Sequence, residues 1–244
     1  MSHTTPTVVL VHGAFAESAS WNDVIKDLHD RDITSTAVAN PLRSLSGDAE
    51  YVRDVVASIG GPVLLVGHSY GGMVITQAAA DNPAVTGLVY VAAFAPDTGE
   101  SALQLSGSFP GSTLGEALHS YPLANGGTEL AIRRDVFAAQ FAADVPAPVA
   151  GQMGATQRPV TEAALAEGLP TSSPAWKTLP SWFVFGDEDR NIPAAALRFQ
   201  AERAGARTAT EVGGASHAIS VSRPEVVAEL IATAHADVVA TAAA

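Results

Sequence analysis

Short runs of branched apolar residues alternate along the chain with segments in which apolar residues recur every three or four positions. The runs are typical of strands buried on both faces of a parallel sheet, and the spaced segments indicate amphipathic helices. Strands are predicted at 7–11, 34–39, 63–66, 87–93, 181–185 and 208–212. Helices are predicted at 21–31, 48–59, 70–81, 194–204 and 224–239. This alternation predicts an α/β fold with about six mainly parallel strands and helices on both faces of the sheet.

The alternation stops between residues 95 and 179. Pro, Gly and Ser are frequent there, and only weaker helical patches occur, at 114–119, 128–142 and 161–167. About eighty-five residues without a buried strand are too many for a loop. We therefore predict a helical cap inserted at 95–179 into a core domain built from 1–94 and 180–244.

A serine lies where the strand at 63–66 passes into the next helix. Ser69 is flanked by Gly67 and Gly71 in the spacing Gly-x-Ser-x-Gly. Such a turn holds the serine in a strained conformation and needs small neighbours, because strand and helix come into contact there. The turn also places the hydroxyl at the carboxyl ends of the strands, where open α/β sheets bind ligands. Ser69 is the predicted nucleophile; the alternative is a plain strand-to-helix connection.

A serine hydroxyl needs an adjacent base to act as a nucleophile near neutral pH. The chain has seven histidines, and His217 lies in a glycine-containing loop after the strand at 208–212. That loop begins at the same edge of the sheet as Ser69, so His217 is the predicted general base. His12 and His68 are expected to bond backbone groups near the site instead.

A third group must orient the base and stabilise its protonated form. The acidic residues Asp187, Glu188 and Asp189 follow the strand at 181–185, again at its carboxyl end. Asp187 and Asp189 are both candidates on position alone, and Glu188 is expected to face solvent. The chain order of serine, acid and histidine is that of one known triad-bearing fold.

The developing negative charge of an acyl-transfer reaction needs two hydrogen-bond donors. The backbone N–H of Tyr70 lies at the start of the helix behind Ser69, where the helix dipole also favours negative charge. A second donor is expected from the loop after the first strand, where Gly13 allows close approach of the backbone. Ala14 N–H is the preferred candidate and Phe15 N–H the alternative.

Composition narrows the classes of partner. The formal net charge is −12, from 25 acidic and 13 basic residues, with no cluster of lysine and arginine. This charge disfavours nucleic acid and anionic membrane surfaces as partners. Cysteine is absent, and neither a signal peptide nor a membrane-spanning run is recognised. We expect a cytoplasmic protein, a monomer or homodimer, that needs no metal and no cofactor.

The segments HGAF, GHSYGG, GDEDRNIP and GASH resemble those of the α/β-hydrolase superfamily, across all of the predicted sheet. Within it the chain is most similar to small esterases akin to plant methyl-ester esterases and hydroxynitrile lyases. The resemblance of the acid loop places the carboxylate at Asp189 rather than Asp187. The lyases carry threonine and lysine where this chain has Gly13 and Ala218, which favours ester hydrolysis.

The resemblance and the predicted residues together imply a serine hydrolase with Ser69, His217 and Asp189 as its triad. Its expected substrates are small to medium apolar carboxylic esters or lactones. Phe15 and Trp176 are expected to contact the substrate. The alternatives are a lyase or cofactor-free oxygenase that uses the same residues, and a non-catalytic receptor for small molecules on the same scaffold.

Overall fold

The computed structural model describes residues 5–124 and 126–243, and its centre is a sheet of six strands. The strands of the chain are β1 (Thr7–Val11), β2 (Ser35–Val38), β3 (Val63–His68), β4 (Val85–Val91), β5 (Leu118–Pro122), β6 (Thr128–Ile132), β7 (Val160–Thr161), β8 (Ser181–Gly186) and β9 (Thr208–Val212). The central sheet has the order β2-β1-β3-β4-β8-β9, and every pairing in it is parallel. The predicted α/β architecture with a six-stranded parallel sheet is confirmed.

Helices cover the sheet on both faces. In chain order they are α1 (Asn22–His29), α2 (Leu45–Ile59), α3 (Gly71–Ala79), α4 (Ala102–Gly107), α5 (Leu114–Ala117), α6 (Arg134–Phe141), α7 (Ala147–Thr156), α8 (Glu162–Ala166), α9 (Ala194–Arg203), α10 (Ile219–Ser222) and α11 (Pro224–Ala242). Every residue of β3 and β8 is buried, which requires cover from both sides. The helix α1 packs against α11, and α2 packs against α3. None of the helices in the described ranges combines the length and the apolarity needed to cross a membrane.

The core helices begin and end close to the predicted positions, with differences that capping explains. The helix α2 begins at Leu45, three residues before the predicted start, because the Ser44 side chain accepts a hydrogen bond from Gly47 N–H. A short 3₁₀ turn at Ser18–Trp21 precedes α1 and includes the first residue of the predicted helix.

The insertion between β4 and β8 is not entirely helical. Besides five short helices, it contains a three-stranded antiparallel sheet in the order β5-β6-β7. We predicted helix at 114–119 and 128–142, yet β5 lies partly in the first range and β6 begins the second. None of the side chains of β5 is buried, and its sequence lacks the alternation of apolar and polar residues that marks a strand. Pairing with β6 decides its conformation instead.

Candidate active site

Ser69 occupies a strained turn between β3 and α3. Its backbone has φ of 55°, in the left-handed region that residues with a side chain rarely adopt. The turn is fixed on both sides: Ser69 N–H donates to Val91 O at 3.2 Å, and Ser69 O accepts from Phe94 N–H at 3.2 Å. Strain of this kind persists only where the surrounding structure holds it, and it is concentrated at functional sites.

Glycines around Ser69 let three segments meet. A Cβ added to Gly67 would lie 2.6 Å from Gly71 O, so the strand and the helix could not pack at this distance with larger residues. A Cβ on Gly13 would lie 2.6 Å from Ser69 Cβ. The loop after β1 therefore approaches the serine closely because residue 13 has no side chain.

His217 and Asp189 form a buried pair beside this turn. The distance from His217 Nδ1 to Asp189 Oδ2 is 2.6 Å, and both side chains are almost fully buried. The other oxygen, Asp189 Oδ1, accepts the N–H groups of Asn191 at 2.8 Å and Ile192 at 2.9 Å. A carboxylate held in this way accepts from Nδ1–H, which leaves Nε2 of His217 as the ring nitrogen able to take a proton.

The neighbouring acidic residues have other positions. Asp187 and Glu188 are exposed, and Asp187 Oδ1 accepts Gly214 N–H at 2.7 Å. Of the two carboxylates that position alone left open, the structure thus brings Asp189 to the histidine and leaves Asp187 at the surface of the same loop.

Two further histidines bond backbone groups under the site. His12 Nε2 accepts Asn40 N–H at 3.1 Å, and His68 Nε2 lies 3.0 Å from His217 O. Burial lowers the pKa of His12 to about 4 and holds the pKa of His68 well below its ordinary value. Both rings are therefore neutral at physiological pH, and their hydrogen bonds position the loops that carry the site.

The expected anion-binding donors also lie next to Ser69. Phe15 N–H donates to Arg158 O at 3.0 Å, so this group is already engaged. Within the described residues, neither Ala14 N–H nor Tyr70 N–H donates to another group of the protein. Of the two candidates in the loop after β1, Ala14 is thus the one with a free donor.

These groups surround a cavity of about 280 Å³ with a mostly apolar wall. The residues in the wall are Ala14, Phe15, Ser69, Tyr70, Phe94, Ala102, Leu103, Ser106, Gly107, Ser112, Leu114, Gly115, Leu118, Leu165, Asn191, Ile192 and His217. The cavity thus brings together the predicted serine, base, anion-binding loops and Phe15, with Asp189 directly behind the base.

The sequence did not indicate most of the residues in this wall, and one residue predicted to contact the substrate lies outside it. Trp176 does not line the cavity; its indole N–H donates to Pro96 O at 2.7 Å in a turn after α8. The apolar residues from the cap, such as Leu114, Leu118 and Leu165, carry no signal that separates them from cap core. Asn191 could have been noticed, because it follows the predicted acid by two positions in the same loop.

Among the residues that the structure describes, no group of three or more His, Cys, Asp or Glu side chains could hold a metal ion. The chemistry available from the described side chains is that of a serine, a histidine and a carboxylate beside an apolar cavity.

Solved structures of similar shape cover nearly all of the chain. The structure of polyneuridine aldehyde esterase superposes with a TM-score of 0.80 at 21% identity, over 95% of this chain and 100% of that one. A pyrethroid hydrolase from Sphingobium faniae JZ-2 superposes with a TM-score of 0.74 at 23% identity, over 95% of this chain and 98% of that one. At this level of identity, the likeness shows the fold.

A curated relative matches part of the sequence more closely. The carbendazim hydrolyzing esterase of Nocardioides sp. (strain SG-4G) is 40% identical over 111 residues, which are 40% of this chain and 46% of that protein. The match spans about half the length of this relative. The model of the alpha/beta hydrolase family matches residues 8–230, nearly the entire chain. The chain therefore belongs to the alpha/beta hydrolase family.

Proposed function

We propose that this protein is a serine hydrolase that cleaves carboxylic esters or lactones of small to medium apolar compounds. One observation carries the proposal: Ser69 on its strained turn and His217, paired with Asp189, share the wall of one mostly apolar cavity. A nucleophile, an oriented base and an apolar binding space are what acyl transfer from an ester requires.

In the proposed reaction, Nε2 of His217 takes the proton of Ser69 Oγ as the oxygen attacks the ester carbonyl. The N–H groups of Ala14 and Tyr70 stabilise the oxyanion of the tetrahedral intermediate. His217 then gives its proton to the leaving alcohol, and an acyl-enzyme remains on Ser69. A water molecule deprotonated by His217 attacks this ester, the acid leaves, and the serine recovers its proton.

The names of the similar proteins agree with this reaction class, since they include esterases and a pyrethroid hydrolase. The size of the cavity limits the substrate. A volume of about 280 Å³ is just below the usual range of ligand pockets, which favours a small acyl or alcohol group in the cavity.

A panel of p-nitrophenyl esters, lactones and amides tests the proposal with the wild type and Ser69→Ala. We expect turnover of short esters by the wild type and a loss of at least about 10³-fold in kcat for the variant. Labelling by a fluorophosphonate should be stoichiometric in the wild type and absent in the variant. A wild type inactive on the whole panel would overturn the proposal and leave the lyase, oxygenase and receptor alternatives.

A further inference from the structure

One side of the cavity wall beside Ser69 is exposed to solvent, and the rest of the wall is buried. Every wall residue outside the range 103–118 is buried. Every wall residue inside that range is half-buried or exposed. These exposed and half-buried wall residues, which we call the rim, belong to α4, to α5, to the segment that joins them and to the first position of β5. Because an opening must be bordered by residues that solvent reaches, the cavity opens between α4 and α5.

The rim is mostly apolar. It consists of three leucines, two glycines and two serines. The Ser112 hydroxyl donates to Asn191 O at 2.9 Å, and Ser106 Oγ lies 3.4 Å from both Ser112 Oγ and Asn191 O. The serine hydroxyls thus face oxygen atoms of the protein itself. Apart from His217, no described residue of the whole wall has an acidic or basic side chain, so a ligand chain that crosses the rim meets mainly apolar groups.

Leu103 presents an apolar surface to solvent at this opening. The residue is 45% exposed, and it shares the wall of the cavity with Leu114 and Leu118. The other exposed large apolar residues that the structure describes lie outside this wall; they are Tyr51, Val149 and Phe199. Apolar surface at the edge of a ligand cavity is favourably covered by an apolar part of the ligand. Each methylene group removed from water there strengthens binding by up to about fourfold.

We infer that the rim is the entrance of the active site, and that the substrate is an ester with an apolar chain that crosses the rim over Leu103. The inference rests on the proposed ester hydrolysis and narrows its substrate class to esters with an extended alkyl chain in the acyl or the alcohol part. A cavity of about 280 Å³ is just below the usual range of ligand pockets, so it takes the smaller part of such an ester while the chain extends outwards. Leu103 then determines specificity through the surface that it offers to the chain.

Two series of esters test this inference. The first, p-nitrophenyl esters from acetate to decanoate, lengthens the acyl chain; the second, acetates of alcohols from methanol to octanol, lengthens the alcohol. We expect kcat/KM of the wild type to increase at least about tenfold along one of the series, the effect of two or three methylene groups covered at the rim. In Leu103→Glu the increase should fall to about twofold or less, because a hydrated carboxylate replaces the apolar surface.

The variants at position 103 change little besides the rim. Leu103 lies in the first turn of α4, where a helix tolerates an acidic residue well. Leu103→Met keeps an apolar side chain of similar size and should retain the increase. Tyr51→Glu is the matched control, because it places the same charge at an exposed apolar position of α2 outside the wall; its dependence on chain length should equal that of the wild type.

Three results would overturn the inference: no increase along either series in the wild type, an increase of the same size in Leu103→Glu, or an equal loss of the increase in Tyr51→Glu. Leu103→Ser decides the second point if Leu103→Glu does not fold. In each of these cases hydrolysis of the short esters would still support the proposed function. A wild type that hydrolyses no ester of either series would overturn both.

Discussion

Tyr70 shows how one buried carboxylate supports the residue beside Ser69. Tyr70 lines the cavity, and its hydroxyl donates to Asp48, which is fully buried and also accepts Arg43 N–H at 3.1 Å. Burial raises the pKa of Asp48, so the charged carboxylate is costly there, although its hydrogen bonds partly offset this cost. The effect of replacing the carboxylate on stability should therefore depend on whether an acceptor remains.

We expect Asp48→Ala to lower the free energy of unfolding by about 2 kcal/mol, because it leaves the buried Tyr70 hydroxyl unpaired. Asp48→Asn removes the buried charge and keeps one of the two acceptor oxygens, so it should lower the free energy of unfolding by less than Asp48→Ala at pH 7. Urea unfolding of the two variants and the wild type measures the difference. Equal destabilisation by both substitutions would contradict this role.

His12 makes stability depend on pH. Burial lowers its pKa in the folded protein to about 4, from 6.5 in an unfolded chain. Between pH 6.5 and 4 the unfolded chain binds a proton at this histidine and the folded protein does not. The free energy of unfolding is therefore highest above pH 6.5 and decreases as the pH falls towards 4. The loss from His12 alone should reach about 3 kcal/mol at pH 4.

His12→Gln checks this prediction, since the glutamine oxygen can still accept Asn40 N–H. Unfolding by urea between pH 7 and 4 should show a shallower decline for His12→Gln than for the wild type. His29→Gln, at an exposed position of α1, is the control and should follow the wild type. An unchanged slope in His12→Gln would show that other groups cause the decline.

At the scale of elements, the cap helix α6 and the turn after it hold both loops that carry the histidine–carboxylate pair. Gln140 Nε2 donates to Arg190 O at 2.9 Å, in the loop of Asp189. Phe141 O accepts Ala218 N–H at 3.0 Å, and the Phe141 ring packs edge-on against His217, with 4.9 Å between ring centroids. The cap thus contributes to the position of His217 as well as to the cavity.

Asp144 completes this contact. It accepts Ser216 N–H at 3.1 Å, bonds the Ser216 hydroxyl, and lies 3.1 Å from Arg223 Nη1. Although burial opposes it, the Ser216 bonds and Arg223 lower the pKa of Asp144. We expect Asp144→Ala to reduce kcat about tenfold with little change in KM, because the loop of His217 loses its support.

Steady-state kinetics with a p-nitrophenyl ester measures this effect. Asp135→Ala is the control, since Asp135 lies on α6, just before the turn that carries Asp144, and has an exposed side chain; it should behave like the wild type. Asp144→Asn keeps an acceptor for Ser216 and should recover much of the lost kcat. A change in KM alone would mean that Asp144 affects binding of the substrate rather than the base.

The strands and helices of the core were predictable because the residues of each element alone indicate its secondary structure. The residues Val63 to Val66 are buried on both faces and read as a strand without any knowledge of their neighbours, and Ser69 followed from its flanking glycines. The hydrogen bonds from α6 and the turn after it were not predictable, because Gln140 and Asp144 bond loops that lie far along the chain. The hydrogen bond from Gln140 Nε2 to Asn191 Oδ1 was not predictable for the same reason.

At the scale of the whole molecule, the net charge of −12 should affect which substrates reach the cavity. A surface of one sign repels ions of that sign, and salt screens the repulsion. We expect an ester that bears a carboxylate to have a lower kcat/KM than its neutral analogue. The difference should narrow a few-fold between about 10 and 500 mM NaCl, while the rate for the neutral ester should stay nearly constant.

Initial rates for the matched pair at both salt concentrations provide the measurement. An ester with a quaternary ammonium group in place of the carboxylate should respond in the opposite direction, because salt screens an attraction in that case. Equal salt dependence of all three esters would show that the charge of the protein does not act at the cavity.

The hydrogen bond from Phe15 N–H to Arg158 O has a consequence for how this protein can acquire new substrates. It joins the loop that carries Ala14 to the cap, just as Gln140 and Asp144 join the cap to the loops of Asp189 and His217. Exchanging residues 95–179 for the cap of a relative would remove these bonds along with the old cavity wall. New specificities should therefore arise more readily by single changes at Leu103, Leu114 or Leu165, and a grafted cap should need compensating changes in the core loops before it supports turnover.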